Sequence, residues 1–165
     1  MILYHGTTME IPHPIILRSE IGRDFGFGFY TTDIRDQAER WARRKARIEN
    51  RKPGKHVKAI VNVYEWQDPG SALRVKRFEG ASLDWLEMVV RCRGDSAFQH
   101  GFDLVEGKIA NDNVGETVSY VMQGIMRKED AVERLRFERI NNQIAFCSEK
   151  ALSSLVFLKS YEVEG

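Results

Sequence analysis

Two cysteines, Cys92 and Cys147, are all the thiol chemistry the chain has. They sit in apolar runs without metal-ligand spacing and read as reduced core residues of a cytosolic, cytoplasmic protein. No apolar run approaches the ~18 residues of a membrane span, so no membrane partner is expected. The opening Met1-Ile2-Leu3-Tyr4-His5 has neither a basic n-region nor a long apolar h-region, so no signal peptide is expected. Charge of one sign is missing too. The 25 basic and 24 acidic residues leave a formal net charge of +1, so no global field argues for nucleic acid or an acidic membrane. Internal repeats and low-complexity segments are absent. What is there is ordinary: 42% hydrophobic and 30% charged residues in a 165-residue chain. That length suits one domain, residues 1–165, with a sizeable core and no need of staples.

Along the chain, Ile2 to His5 read as a short apolar strand. Thr8 to Asp24, with Pro12 and Pro14 and no clean periodicity, form a long connection of the kind that is more often functional than idle. Phe25 to Tyr30 form a short strand or a glycine-rich turn, after which Thr32 or Asp33 supplies an N-cap. A helix follows from Ile34 to Glu49 with Ile34, Ala38, Trp41 and Ala42 as its inward stripe. Its other faces carry Arg35, Arg40, Arg43, Arg44, Lys45 and Arg47, read as a solvated face with phosphate contact as the alternative.

Val57 to Tyr64 alternates as a strand with Val57, Ala59, Val61 and Val63 on one face. Leu73 and Val75 mark a brief strand. Ser82 caps a helix to Cys92 with Leu83, Leu86, Val89 and Val90 inward. Phe102 to Ile109 is a strand ending in Ala110-Asn111-Asp112-Asn113. Helices run from Val114 to Met122, with Val118, Val121, Met122 and Ile125 on one stripe, and from Glu129 to Phe137. Gln143 to Cys147 is a strand, Ser148 caps one or two turns, and Leu155 to Val163 is the last strand. Strands and helices do not alternate strictly, which argues against a doubly wound parallel sheet and for an α+β fold with two small sheets and helices around them.

Two stretches stand out. Leu3-Tyr4-His5-Gly6-Thr7 and Gly26-Phe27-Gly28-Phe29-Tyr30-Thr31-Thr32 each set one polar ring beside small residues. Glycines there let a flat ligand approach the backbone. Taken alone, each stretch is also an ordinary strand. Together and in this order they resemble the nicotinamide pocket of the ADP-ribosyltransferases, in particular the histidine class of diphtheria toxin and the poly-ADP-ribose polymerases. More of the chain resembles a narrower bacterial group within that clan, the domain-of-unknown-function 3990 family. Gln37-Ala38-x-x-Trp41-Ala42, Val63-Tyr64-Glu65, Trp85-Leu86, Gly107-x-x-Ala110-Asn111-Asp112 and Asn142-Gln143 with Phe146 carry this second likeness.

The resemblance implies a split pair of small mixed or antiparallel sheets and an enzyme that breaks the nicotinamide–ribose bond of NAD. The transition state is oxocarbenium-like, and nicotinamide leaves as a neutral base without a general acid. His5 would hydrogen-bond the adenine-side ribose, the Gly6 backbone would pair with the carboxamide, and Tyr30 would stack on the nicotinamide. Thr7, Gly28 and Phe29 would complete the pocket. The superfamily's third element is a glutamate opening a late strand; Gln143 stands there, the residue usual in the narrower family. Its plain reading is a surface amide. A glutamine can hold the ribose hydroxyl but brings no charge, so Asp112 and Glu149 are candidate sources of a carboxylate. The implied function is a mono-ADP-ribosyltransferase acting on a macromolecular acceptor, with a small neutralising antitoxin as a partner if it is a toxin. A non-catalytic NAD-binding or partner-binding module and an NAD glycohydrolase are the alternatives.

Overall fold

The alternation that begins at Val57 becomes the centre of a sheet. In the computed structural model, which describes residues 1–16, 23–108, 112–135 and 142–164, the elements run β1 (Ile2–Thr7), β2 (Phe29–Thr31), α1 (Arg35–Asn50), β3 (Ala59–Trp66), β4 (Val75–Arg77), α2 (Leu83–Gly94), β5 (Leu104–Lys108), α3 (Asp112–Met122), α4 (Lys128–Leu135), β6 (Asn142–Phe146), α5 (Glu149–Leu152) and β7 (Leu155–Val163). One sheet has the order β1-β3-β7 and is antiparallel throughout. The other has the order β2-β6-β5-β4 and is mixed, because β4 pairs with β5 in parallel. The expected α+β fold with two small sheets is therefore the one observed.

Strand alternation then sets the layers, since successive side chains point to opposite faces. Ala59, Val61 and Val63 pack under Ala38, Ala42 and Ala46 of α1. From the other face of that sheet, Leu3, Tyr64 and Trp66 meet Phe29, Leu104, Ile144 and Phe146 of the second sheet. Beyond it, Tyr30, Val105 and Ala145 face Trp85, Leu86 and Val89 of α2, Val114 and Val118 of α3, and Ala131 and Leu135 of α4. The order of layers is thus helix, sheet, sheet, helices.

Three expectations about helix faces need correction. In α1, Ile34 is 39% exposed and Trp41 only half-buried, while Gln37, Ala38, Ala42 and Ala46 form the inward stripe. The helix lies so close to β1 that only small side chains fit between them. In α2, Leu83 is exposed and Trp85 takes its inward place. At the end of α3, Met122 is exposed at the last position of the helix, and Ile125 faces solvent because Gly124, at φ +75°, has already turned the chain out of the helix. Ser82 and Ser148 do cap α2 and α5, each accepting a backbone N–H two or three positions into its helix. At α1 the cap position is Ile34, and Thr32 Oγ1 accepts the Ile34 N–H one step earlier. The expected ends at Ile109 and Phe137 lie outside the described residues.

Candidate functional site

His5 leaves β1 on the face that looks toward the second sheet, the face on which Leu3 is buried. Its ring stacks on Phe29 of β2, with centroids 4.3 Å apart. Nδ1 lies 2.6 Å from the Tyr30 carbonyl oxygen. A carbonyl only accepts, so Nδ1 carries the proton and Nε2 of the neutral ring is an acceptor. The ring is held neutral. Burial is the main force pushing its pKa down to about 3, and the Lys45 cation adds to it. The bond to the Tyr30 carbonyl pulls the other way, and Arg23 pushes down further.

Beside this pair opens a cavity of about 480 Å³, well within the size of small-molecule sites. His5, Thr7, Gly28, Phe29 and Tyr30 form one wall, and the chain from Met9 to His13 forms another. That second wall is fastened to the first sheet from below. Buried Asn62 accepts the Ile11 N–H and donates to the Met9 carbonyl, and the Tyr64 hydroxyl donates to the Ile11 carbonyl. Of the connection expected to be functional, residues 9–13, Ile15 and Arg23 thus line the cavity. Arg23 and Lys45 bring positive charge to it, and Glu10 is the one carboxylate among its described lining residues.

Tyr30 is more than a pocket ring. It is 3% exposed and packs into the helical layer with Phe25 and Trp85. Its hydroxyl accepts the Phe25 N–H and donates to the Gly26 carbonyl, which ties down the turn before β2. Burial raises the pKa of that hydroxyl. The Arg23 guanidinium lies over the ring, 4.0 Å from its centroid.

The two glycines have packing reasons. A Cβ on Gly6 would stand 2.0 Å from the Ala38 carbonyl oxygen and 2.8 Å from the Ala42 nitrogen. The missing side chain therefore admits the α1 backbone, on the face opposite to His5. A Cβ on Gly28 would meet the Phe146 carbonyl oxygen at 3.0 Å. The Gly6 backbone still has an orientation that suits a ligand. Tyr4 exchanges both of its backbone hydrogen bonds with Thr32. Gly6, two residues on, presents its N–H and C=O to the same side of β1, away from β3.

Gln143 is neither a surface amide nor a cavity wall. It is 1% exposed, and its Nε2 donates to Asp24 Oδ2 over 3.3 Å. Asp24, itself buried, is held by Arg93, whose nitrogens lie 2.7 and 2.6 Å from Oδ1. Gln143 shares the helix-facing side of its sheet with Ala145, which pairs with Tyr30. Gln37 of α1 fixes this strand end: its side chain donates to the Asn142 carbonyl and accepts the Asn142 N–H. Asp112 opens α3, but its side chain, like Ala110 and Asn111, lies outside the described ones. Glu149 is exposed at the opposite end of β6 from Gln143, too far along the chain to supply charge there.

The structure therefore brings His5, Thr7, Gly28, Phe29 and Tyr30 to one cavity and sets Gln143 behind it with Asp24 and Arg93. Sequence reasoning missed Asp24, Arg93, Arg23 and Lys45 as parts of this site. Asp24 had a signal, as the residue directly before Phe25-Gly26; Arg93, on a distant helix, had none. His100 was missed as well. Its Nε2 donates to the Phe25 carbonyl and its Nδ1 accepts the Phe102 N–H, an arrangement that requires the neutral ring. Burial accordingly lowers its pKa.

A family model described as "Protein of unknown function (DUF3990)" matches residues 1–157. Among curated proteins and among solved structures, nothing matches.

Proposed function

The chain belongs to the DUF3990 family of unknown function, so membership supplies no activity, and we propose from the site itself that the cavity binds NAD and that the protein is an NAD-dependent mono-ADP-ribosyltransferase. The observation that carries this reading is the neutral His5. Its Nδ1–H is committed to the Tyr30 carbonyl, so Nε2 is oriented as an acceptor for a ribose hydroxyl. The outward-facing backbone of Gly6 matches a carboxamide, which offers one donor and one acceptor. Arg23 and Lys45 suit the pyrophosphate. For nicotinamide to stack on Tyr30, the Arg23 guanidinium leaves the ring face it covers and turns to the phosphates.

Catalysis in this reading is positioning of the two halves of NAD, with the leaving nicotinamide needing no proton. ADP-ribose then passes to a macromolecule in the cytoplasm, and a small antitoxin protein would hold the activity in check. A second reading, an NAD-binding module without turnover, has one observation in its favour: the carboxylate to which Gln143 donates is Asp24, which is already neutralised by Arg93. Incubation with NAD separates the two. Free nicotinamide together with labelled macromolecule supports transfer, and nicotinamide without label means hydrolysis. Bound NAD with neither product leaves the binding module. His5→Ala should weaken NAD binding about tenfold or more, by loss of one ribose hydrogen bond in a desolvated site. Wild-type affinity in that variant, read by calorimetry, would remove the proposal.

A further inference from the structure

We propose that the outer face of α1 binds a single-stranded nucleic acid, and that this strand is the acceptor of the transfer. The second half rests on the transferase reading; the first does not. Arg40, Arg44, Arg47 and Arg51 follow one another at helical spacings of four, three and four, on the side away from the buried Ala38, Ala42 and Ala46. All four are exposed, and the row is about 16 Å long at the rise of an α-helix. Like charges at such spacings weaken a helix, and a face that needed only solvation would alternate its signs.

Of the carboxylates of α1, Asp36 stands four residues before Arg40 and closes the N-terminal end of the row, whereas Glu39 engages Arg35 and Tyr161 and Glu49 engages Lys52. Residues 35–58 hold ten Lys and Arg against three Asp and Glu, in a chain whose formal net charge is +1. Six of these ten lie on α1 and four on the segment that follows it, and Lys45 of α1 lines the cavity.

Arginine points to phosphate, which its planar fork can grip with two hydrogen bonds. Trp41 points to unpaired bases. It sits on the flank between the arginine row and Lys45 and is half-buried, whereas Trp66 and Trp85 are 4% and 0% exposed. An arginine row beside an aromatic platform is the chemistry that holds single strands. Base-edge readers are missing from the face: Gln37 is buried on Asn142, and the Asn50 side chain is bonded to the Val57 backbone. The expected binding is accordingly tolerant of sequence.

The test uses the full chain without NAD and a labelled oligonucleotide of about 16 nucleotides, in DNA and RNA arms that tell the two sources apart. Four phosphate contacts predict a salt slope of about −3, or about 50-fold weaker binding between about 50 and 200 mM salt. In Arg47→Gln/Arg51→Gln the slope should halve and low-salt affinity fall about tenfold, with melting temperature and NAD affinity unchanged. Binding should quench tryptophan fluorescence, and Trp41→Phe should abolish the quench. Unchanged affinity in the double variant, no quench, tighter binding to duplex, or equal affinity for an acidic peptide would each overturn the surface. With NAD added, label on the strand supports the acceptor claim. Strand bound but unlabelled, while nicotinamide is released, overturns that claim and leaves the surface standing.

Discussion

At the scale of single residues, His5 and Gln143 matter for opposite reasons: one is kept neutral where a ligand can meet it, the other is kept from the ligand by its neighbours. The pKa of His5 is pushed down to about 3, while an unfolded histidine takes its proton near the ordinary value of 6.5. Between those two values the unfolded chain binds a proton that the folded chain does not, so stability must fall as pH drops below about 6.5 and stop falling near 3. His100 acts in the same direction. Unfolding free energies from urea titrations at about pH 7 and pH 5 should differ more for wild type than for His5→Gln, by up to about 2 kcal/mol. Equal differences would mean that the ring is charged in the folded state. Gln143 was legible as the third motif position but not as a buried residue, because its partner Asp24 lies 119 positions away. Gln143→Glu would set a second carboxylate against Asp24. It should therefore lower stability, increasingly so as pH rises and the pair ionises, and not raise turnover. A more active and equally stable variant would show that Arg93 can neutralise both.

At the scale of elements, and among the described residues, the sequence located the five α-helices and six of the seven strands to within a few residues, and left β2 open between a strand and a glycine-rich turn, because periodicity survives even where propensity is weak. It misplaced inward residues in α1, α2 and α3, and in α1 the whole phase. Counting apolar residues favours Ile34 and Trp41, but a helix that touches a strand backbone-to-backbone buries alanines. That contact depends on Gly6, whose substitution puts a methyl group inside the Ala38 peptide. Gly6→Ala should lower stability by about 3 kcal/mol or more through overpacking, with NAD absent from the assay. Gly115, inside α3 with open space around it, is the control; there Ala should add about 0.5–1 kcal/mol. If both substitutions behave alike in chemical denaturation, the backbone entropy of glycine and not close approach governs the Gly6 position.

At the scale of the molecule, the layering follows from alternation, but the cavity does not. Its position needs the long-range bonds from Asn62 and Tyr64 that hold residues 9–11 beside His5, and no local pattern announces those. A ligand that bridges this wall, β1 and β2 ties together pieces of both sheets and must stabilise the whole fold. At about 100 times its dissociation constant NAD should add about 2.7 kcal/mol, or about 5–10 °C in melting temperature for a chain of this size. Addition of NAD to His5→Ala at the same concentration should give a clearly smaller shift. No shift in the wild type would leave the cavity to another ligand.

β2, which bears Phe29 and Tyr30, has β6 as its neighbour in the sheet, and the Thr31 hydroxyl reaches an Ile144 carbonyl 113 positions further along. β3 likewise gains one of its two neighbours only from β7. A chain emerging from the ribosome can pair β1 with β3 and β4 with β5, but it cannot join β2 to its sheet until β6 has been made. Non-local pairing of this kind folds slowly. Until β6 has been made, then, the chain carries His5 and the two aromatic rings without the frame that turns them into a cavity.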